Sequence, residues 1–326
     1  MEIILQIILL IIGFVLLIKG ADWLIDGASS VASNFKVSKL LIGLTIIAFG
    51  TGAPELAVSF SSILNGSTDI LIGNVIGSNI VNVLLLIGIA AVIRPIKVQR
   101  DTISKELPLL LLISTSLIVL LLDVKLSDAV INSFTRADAI ICLLFFGIFL
   151  YYLFSMARKN RRGKSAKKDV EKPKYKLGKS FLFVVLGLVG VVGGSELVVN
   201  SATFIASAIG ISERIISLTV IAIGTSLPEL VTTITAARKN ESDLLVGNIV
   251  GSNIFNICIV LALPVLFYGT ITPNNFEVID LFMLIFSSAL LCILARRSQI
   301  ISRSEGALML IFFTIYYSYL IYGALA

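Results

Sequence analysis

The 326-residue chain contains no histidine. That excludes imidazole, the usual metal-ligating ring and the usual proton shuttle near neutral pH. Cysteine is almost absent. Cys142, Cys258 and Cys292 have no paired spacing and lie in apolar segments, so they read as small buried apolar residues, not as disulfides or thiolate ligands. Charge is scarce too, at 14% of residues, against about 25% in soluble globular proteins. No polar segment is longer than about 25 residues, which leaves no room for a folded soluble domain. The first apolar stretch lacks a basic segment before it, since only Glu2 follows the initiator Met1. It is therefore read as a span and not as a cleaved signal peptide.

What the chain does have is apolar length. Hydrophobic residues make up 57% of it, and the mean hydropathy is +1.02. About 20 apolar residues suffice to cross a bilayer core as a helix. Ten such stretches are legible, at roughly 3–20 (extending to about 32), 37–63, 70–93, 105–122, 136–156, 179–208, 212–237, 243–269, 276–295 and 304–325. The expected fold is an all-α polytopic membrane protein with ten transmembrane helices in two inverted five-helix repeats.

The repeat is visible at an offset of 174 residues. Gly50 to Glu55 reads GTGAPE and Gly224 to Glu229 reads GTSLPE. Gly73 to Asn82 reads GNVIGSNIVN and Gly247 to Asn256 reads GNIVGSNIFN. The same offset relates Gly20-Ala21-Asp22 to Gly194-Ser195-Glu196. The expected organisation is a first repeat over 1–157, a basic linker over 158–178 and a second repeat over 179–326.

The net charge of +6 reflects topology more than a nucleic-acid partner. Eleven Lys and Arg lie in 158–179, and basic loops stay cytoplasmic. With that loop inside, five preceding spans put the N-terminus outside, and five following ones put the C-terminus there too. The loops expected inside then hold 22 of the 26 basic residues, including Lys36, Lys39, Arg94, Lys97, Arg100, Arg238, Lys239, Arg296, Arg297 and Arg303. Those expected outside hold only Lys125, Arg136 and Arg214. An odd number of spans per repeat makes the second copy enter the membrane from the opposite side. Inverted repeats with interrupted helices are a transporter architecture, with the site near the midplane.

Each repeat sets a carboxylate behind a proline inside an apolar segment. A charge at that depth costs at least a few kcal/mol, so Glu55 and Glu229 at equivalent positions point to a function. Pro54 and Pro228 each lack an N–H and crowd the carbonyl four residues back, which is expected to free the carbonyls of Gly50 and Gly224. Thr51 with Glu55, and Thr225 with Glu229, are spaced i, i+4 and so expected on one helix face. Two copies facing each other would form an all-oxygen cage with two negative charges. Ca²⁺ takes six to eight oxygen ligands, and Na⁺ suits oxygen sites that carry less charge. The competing reading is a pair of structural glutamates neutralised by basic residues. A second feature is the polar stripe Asn74, Ser78, Asn82, repeated as Asn248, Ser252, Asn256. It either lines the site or only bonds neighbouring helices. Gly73 with Gly77, and Gly247 with Gly251, allow close backbone approach. Asp22 and Glu196 read as bracing groups, and Lys19 as snorkelling or pairing with Asp22.

At these residues the chain resembles the cation/Ca²⁺ exchanger superfamily, most closely Na⁺/Ca²⁺ exchangers of prokaryotic type. GTGAPE with GNVIGSNIVN, and GTSLPE with GNIVGSNIFN, look like that family's two α-repeats. The resemblance implies one Ca²⁺ site flanked by Na⁺ sites. Glu55, Glu229, Thr51 and Thr225 would hold Ca²⁺. Ala48 and Ala222 (through their carbonyls), Ser78, Ser226, Ser252 and both glutamates would hold Na⁺. Asn82, Asn256 and Gly52 would line the pocket. Two departures stand out. Gly52 replaces the hydroxyl that Ser226 supplies in the second copy, and Asn256 stands where some members carry aspartate.

The expected function is a secondary antiporter in the cell membrane, no enzyme, exchanging Na⁺ for Ca²⁺ by alternating access. Its partners are Ca²⁺, Na⁺ and the lipid bilayer, with no cofactor and no nucleic acid. The alternative is Ca²⁺/H⁺ exchange on the same glutamates, since burial favours a neutral carboxyl group. A remote alternative is an intramembrane hydrolase using the two acids for general acid–base chemistry.

Overall fold

The structure is a computed structural model that describes residues 2–126, 131–162, 173–209, 224–272 and 278–325. Its helices follow the apolar stretches closely. They are α1 (Glu2–Phe35), α2 (Lys39–Thr51), α3 (Ala53–Leu64), α4 (Thr68–Ile93), α5 (Thr102–Leu121), a short α6 (Asp123–Leu126), α7 (Arg136–Arg162), α8 (Leu177–Ala208), α9 (Leu227–Arg238), α10 (Ser242–Tyr268), α11 (Val278–Ser298) and α12 (Arg303–Leu325). Among the described residues eight helices are long and apolar enough to cross a bilayer, or nine if α2 and α3, bent by 43° at their junction, form one span. The chain is a polytopic helical membrane protein. Of the span expected over 212–237, residues before Gly224 lie outside the described residues, as do most of the basic linker, Arg214 and Ala222.

α4 and α10 occupy the centre. Every residue of α10 from Leu244 to Leu261 is buried. Such a helix, apolar all round, needs neighbours on every side. α1 and α8 pack chiefly on each other, and Leu17, Ala21, Val191 and Val198 form a small cluster of their own, apart from the main core. Glycines set that contact. A Cβ at Gly20 would lie 2.7 Å from Val191 N, one at Gly187 2.5 Å from Leu24 N, and one at Gly194 2.8 Å from Gly13 O. The contacts Gly13–Gly194 and Gly20–Gly187 exchange under the 174-residue offset. So does the Ser114–Ser288 contact, whose hydroxyls lie 3.5 Å apart.

Loops assigned by charge to one face also meet. A two-stranded antiparallel pair joins β1 (Ile96–Lys97) to β2 (Ile300–Ile301), with Ile96 opposite Ile301. Lys39 bonds Glu241 at 2.9 Å and Gln99 bonds Asp243 at 2.6 Å. On the opposite set of loops Phe134 pairs with Ile271. Two acids that the sequence did not single out are also repeat mates. Glu106 accepts a hydrogen bond from the Tyr152 hydroxyl, and Asp280 accepts one from Tyr316 at 2.7 Å.

Candidate functional site

The two proline motifs do not kink a continuous helix. They start a new one. α2 ends at Thr51, Gly52 takes φ −78°, ψ 4°, and α3 begins at Ala53 with Pro54 in its first turn. Ser226 takes φ −89°, ψ 7° before α9, with Pro228 in its first turn. Proline fits there because the first N–H groups of a helix have no intrahelical acceptor. Glu55 and Glu229 thus stand in the first turns of α3 and α9. The unsatisfied N–H groups at a helix start favour negative charge.

This corrects two expectations. Thr51 and Glu55 do not share one helix face, because the chain breaks between them. Thr51 instead lies near the Glu229 carboxylate in the other repeat, its hydroxyl donating to the Ile47 carbonyl at 3.0 Å and lying 3.4 Å from Asn248 Oδ1. Nor is the Gly224 carbonyl free, since the Ser195 hydroxyl donates to it at 3.0 Å. The equivalent of Ser195 in the first repeat is Ala21, so this capping has no counterpart there.

Glu55 and Glu229 are 2% and 1% exposed, and their charges lie close enough to interact. Among the described residues neither carboxylate forms an ion pair. The structural-glutamate reading, which requires a basic partner for each, finds none there. Oε2 of both glutamates, Oγ of Ser226 and Ser252, and Oδ1 of Asn82 and Asn256 are buried without a hydrogen-bond partner among the described residues. Buried polar atoms are rarely left unpaired. Six of them, all oxygens, at or beside two carboxylates make a donor set suited to a cation with hard-oxygen preference.

The stripes reach this place through wide turns. α4 carries a π-helical turn over Val81–Ile87 and α10 one over Asn256–Leu261, the kind of irregularity that recurs at functional sites. The turn holding Asn82 packs on α9, which carries Glu229. The turn at Asn256 packs on α3, which carries Glu55, and on α4. Ser78 is 5% exposed and Ser252 fully buried, each one helical turn from its asparagine. Gly247 and Gly251 bring α10 against α2, where a Cβ at Gly251 would lie 2.8 Å from Ala48 Cβ. The Ala48 carbonyl accepts a bond from Gly52 N at 3.1 Å. Thr225 is partly exposed at the start of the second break. A Cβ at Gly73 or Gly77 would meet nothing within 4 Å among the described residues.

Asn79 and Asn253 were not singled out in the sequence. They are repeat mates, off the i, i+4, i+8 stripe. Asn82 Nδ2 donates to Asn253 Oδ1 at 3.0 Å, and Asn253 Nδ2 donates to the Asn79 carbonyl at 3.3 Å, so this pair links the two repeats. Their identity across the two GSN triplets was the available signal. Asn74 braces instead: its amide donates to the Glu55 carbonyl and to Ser59 Oγ, both at 3.2 Å. Asn74→Ala is expected to cost about 1 kcal/mol, near fivefold in apparent Ca²⁺ affinity. Asn82→Ala removes an inter-repeat bond and a buried oxygen, and is expected to cost ten- to a hundredfold, about 1.4–2.8 kcal/mol. Parallel titrations of Ca²⁺ uptake check this. Equal losses would make the whole stripe one functional unit.

The family described as "Sodium/calcium exchanger protein" matches residues 5–155 and 179–322. The chain is 40% identical over 311 residues to "Inner membrane protein YrbG" of Escherichia coli K12, covering 92% of each. It is 32% identical over 347 residues to "Sodium/calcium exchanger MaX1" of Methanosarcina acetivorans, covering 97% of this chain and 98% of that one. It superposes on a solved structure of the sodium-calcium exchanger NCX_Mj with a TM-score of 0.82 at 33% identity, over 97% of this chain and 98% of the other. The chain therefore belongs to the sodium/calcium exchanger family, whose members are cation/Ca²⁺ antiporters.

Proposed function

We propose that the protein exchanges Na⁺ for Ca²⁺ by alternating access, with the ions held between two inverted repeats at Glu55 and Glu229. The observation that carries this reading is the pair of buried carboxylates without a basic partner, set among neutral oxygens that lack hydrogen bonds. Two Glu⁻ balance one Ca²⁺. Thr51 and Thr225 complete the divalent site. Ala48, Ala222, Ser78, Ser226 and Ser252, with both glutamates, hold Na⁺, while Asn82, Asn256 and Gly52 line the pocket. Sodium ions on the same carboxylates compete with Ca²⁺ through shared ligands and charge repulsion, and mutual exclusion yields exchange instead of cotransport. Residues 1–157 and 179–326 are the two repeats and 158–178 the cytoplasmic linker, with both termini outside. The exchanging glycine contacts, the Ser114–Ser288 pair and the grouping of loops support the inverted relation. The separate α1/α8 packing supports these two helices sliding as a pair against the core.

The test is ⁴⁵Ca²⁺ uptake into proteoliposomes under an outward Na⁺ gradient and, separately, under a pH gradient. Uptake driven by Na⁺ is expected. Na⁺-independent uptake driven by pH would assign H⁺ as the coupling ion instead.

A further inference from the structure

α3 and α9 end alike. Gly66 (φ +71°) and Asn240 (φ +62°), 174 residues apart, take the left-handed conformation that closes a helix. Ser67 N bonds Ser62 O at 2.9 Å, and Glu241 N bonds Ala236 O at 2.8 Å. The backbones match and the charges do not. The first turn reads Asn65-Gly66-Ser67, whereas the second reads Lys239-Asn240-Glu241. The helices beside them differ in the same sense, with Asp26 in α1 where α8 has Asn200.

The charged turn grips α1. Lys239 Nζ donates to the Asp22 carbonyl at 2.9 Å, to Asp22 Oδ1 at 3.1 Å and to Asp26 Oδ1 at 2.9 Å. Those three contacts use all three ammonium donors. Asp22 thus pairs with Lys239, and not with Lys19, which is exposed. Asp26 Oδ2 accepts from Lys174 of the linker at 2.7 Å. Glu241 accepts from Ser29 at 3.0 Å and from Lys39 at 2.9 Å. These groups border a cavity of about 380 Å³ lined by Asp26, Ser29, Ser30, Ser33, Lys174, Lys239 and Glu241. The Ser30 hydroxyl, 2% exposed, has no partner among the described residues.

We propose that Lys239 is a one-sided latch that pins α1 to the α9–α10 turn and keeps the cytoplasmic port shut, so that the exchanger rests facing outward. The proposal rests on the reading above that α1 and α8 slide against the core. The mirror position at the outer end carries Asn65 and Asn200, which supply no ionic grip. Half-exposed ion pairs are individually weak, which suits a contact that must break in every cycle.

The test labels the S30C thiol with a membrane-impermeant maleimide from the cytoplasmic face, and the T203C thiol on α8, where Thr203 is the repeat mate of the neighbouring Ser29, from the outer face. Labelling of both in the otherwise unaltered protein should change in opposite directions between Na⁺ and Ca²⁺. If neither responds to ions, the sliding reading itself fails. Given that response, K239Q and D26N should each speed S30C labelling about fivefold and slow that of T203C, while K239R keeps the parental rates. Parental rates in both K239Q and D26N overturn the latch. So does faster labelling at both faces, which is general loosening.

Discussion

Neutralising either Glu55 or Glu229 as glutamine is expected to abolish Ca²⁺ transport while the protein still folds. Glutamine has nearly the same shape and keeps one oxygen, so packing around the first turns of α3 and α9 changes little. What disappears is half of the negative charge facing a divalent ion. Removing one partner of a buried charge pair costs about 2–5 kcal/mol, or roughly thirtyfold to several thousandfold in affinity. Na⁺ affinity should fall less, because Coulomb energy scales with the product of charges. Calcium-dependent uptake and equilibrium Na⁺ binding on the same purified variant separate the two effects. Wild-type exchange in either variant would falsify the assigned cage.

The second large effect lies away from the ions. Gly187→Val should stop turnover without destroying the ion site. A Cβ at this position would sit 2.5 Å from Leu24 N and 2.8 Å from Gly20 O. Both are backbone atoms that no rotamer change can move aside. α1 and α8 would have to separate, losing the close contact on which their proposed joint sliding depends. Overpacking of this kind costs about 1–3 kcal/mol or more. Exchange is expected to drop at least about tenfold, with Ca²⁺ binding to detergent-solubilised protein retained within about threefold. Binding and transport lost in equal measure would make the contact purely structural.

Much of this was legible beforehand because the chain was copied. Two carboxylates at equivalent depth, two proline motifs and two polar stripes pointed to a candidate site where single occurrences would have been ambiguous. Hydropathy located the helices, since only lipid or other apolar helices accept so apolar a surface. Other features left weaker traces. Proline reads as a kink and as a helix start alike, and only the backbone angles at Gly52 and Ser226 decide. That choice moved Thr51 from Glu55 to Glu229. A π-helical turn adds one residue without altering composition, so Val81–Ile87 and Asn256–Leu261 look like ordinary apolar helix. Asn79 and Asn253 fell outside the stripe because the stripe was drawn with regular helical spacing. The role of Ser195 depends on a carbonyl in another span, which no local pattern encodes.

α1 and α8 run 34 and 32 residues, about 50 Å each at 1.5 Å per residue, well beyond the ~30 Å of a hydrocarbon layer. Outward-facing side chains such as Ile4, Leu5, Phe14, Leu182 and Val189 give them a long greasy flank. When such a pair shifts along the membrane normal, the match between that flank and the acyl tails shifts with it, at fractions of a kcal/mol per Å. Bilayer thickness thereby becomes a thermodynamic variable of the exchange cycle. Lipids of different chain length would reset the balance between its two facing states without touching an ion ligand.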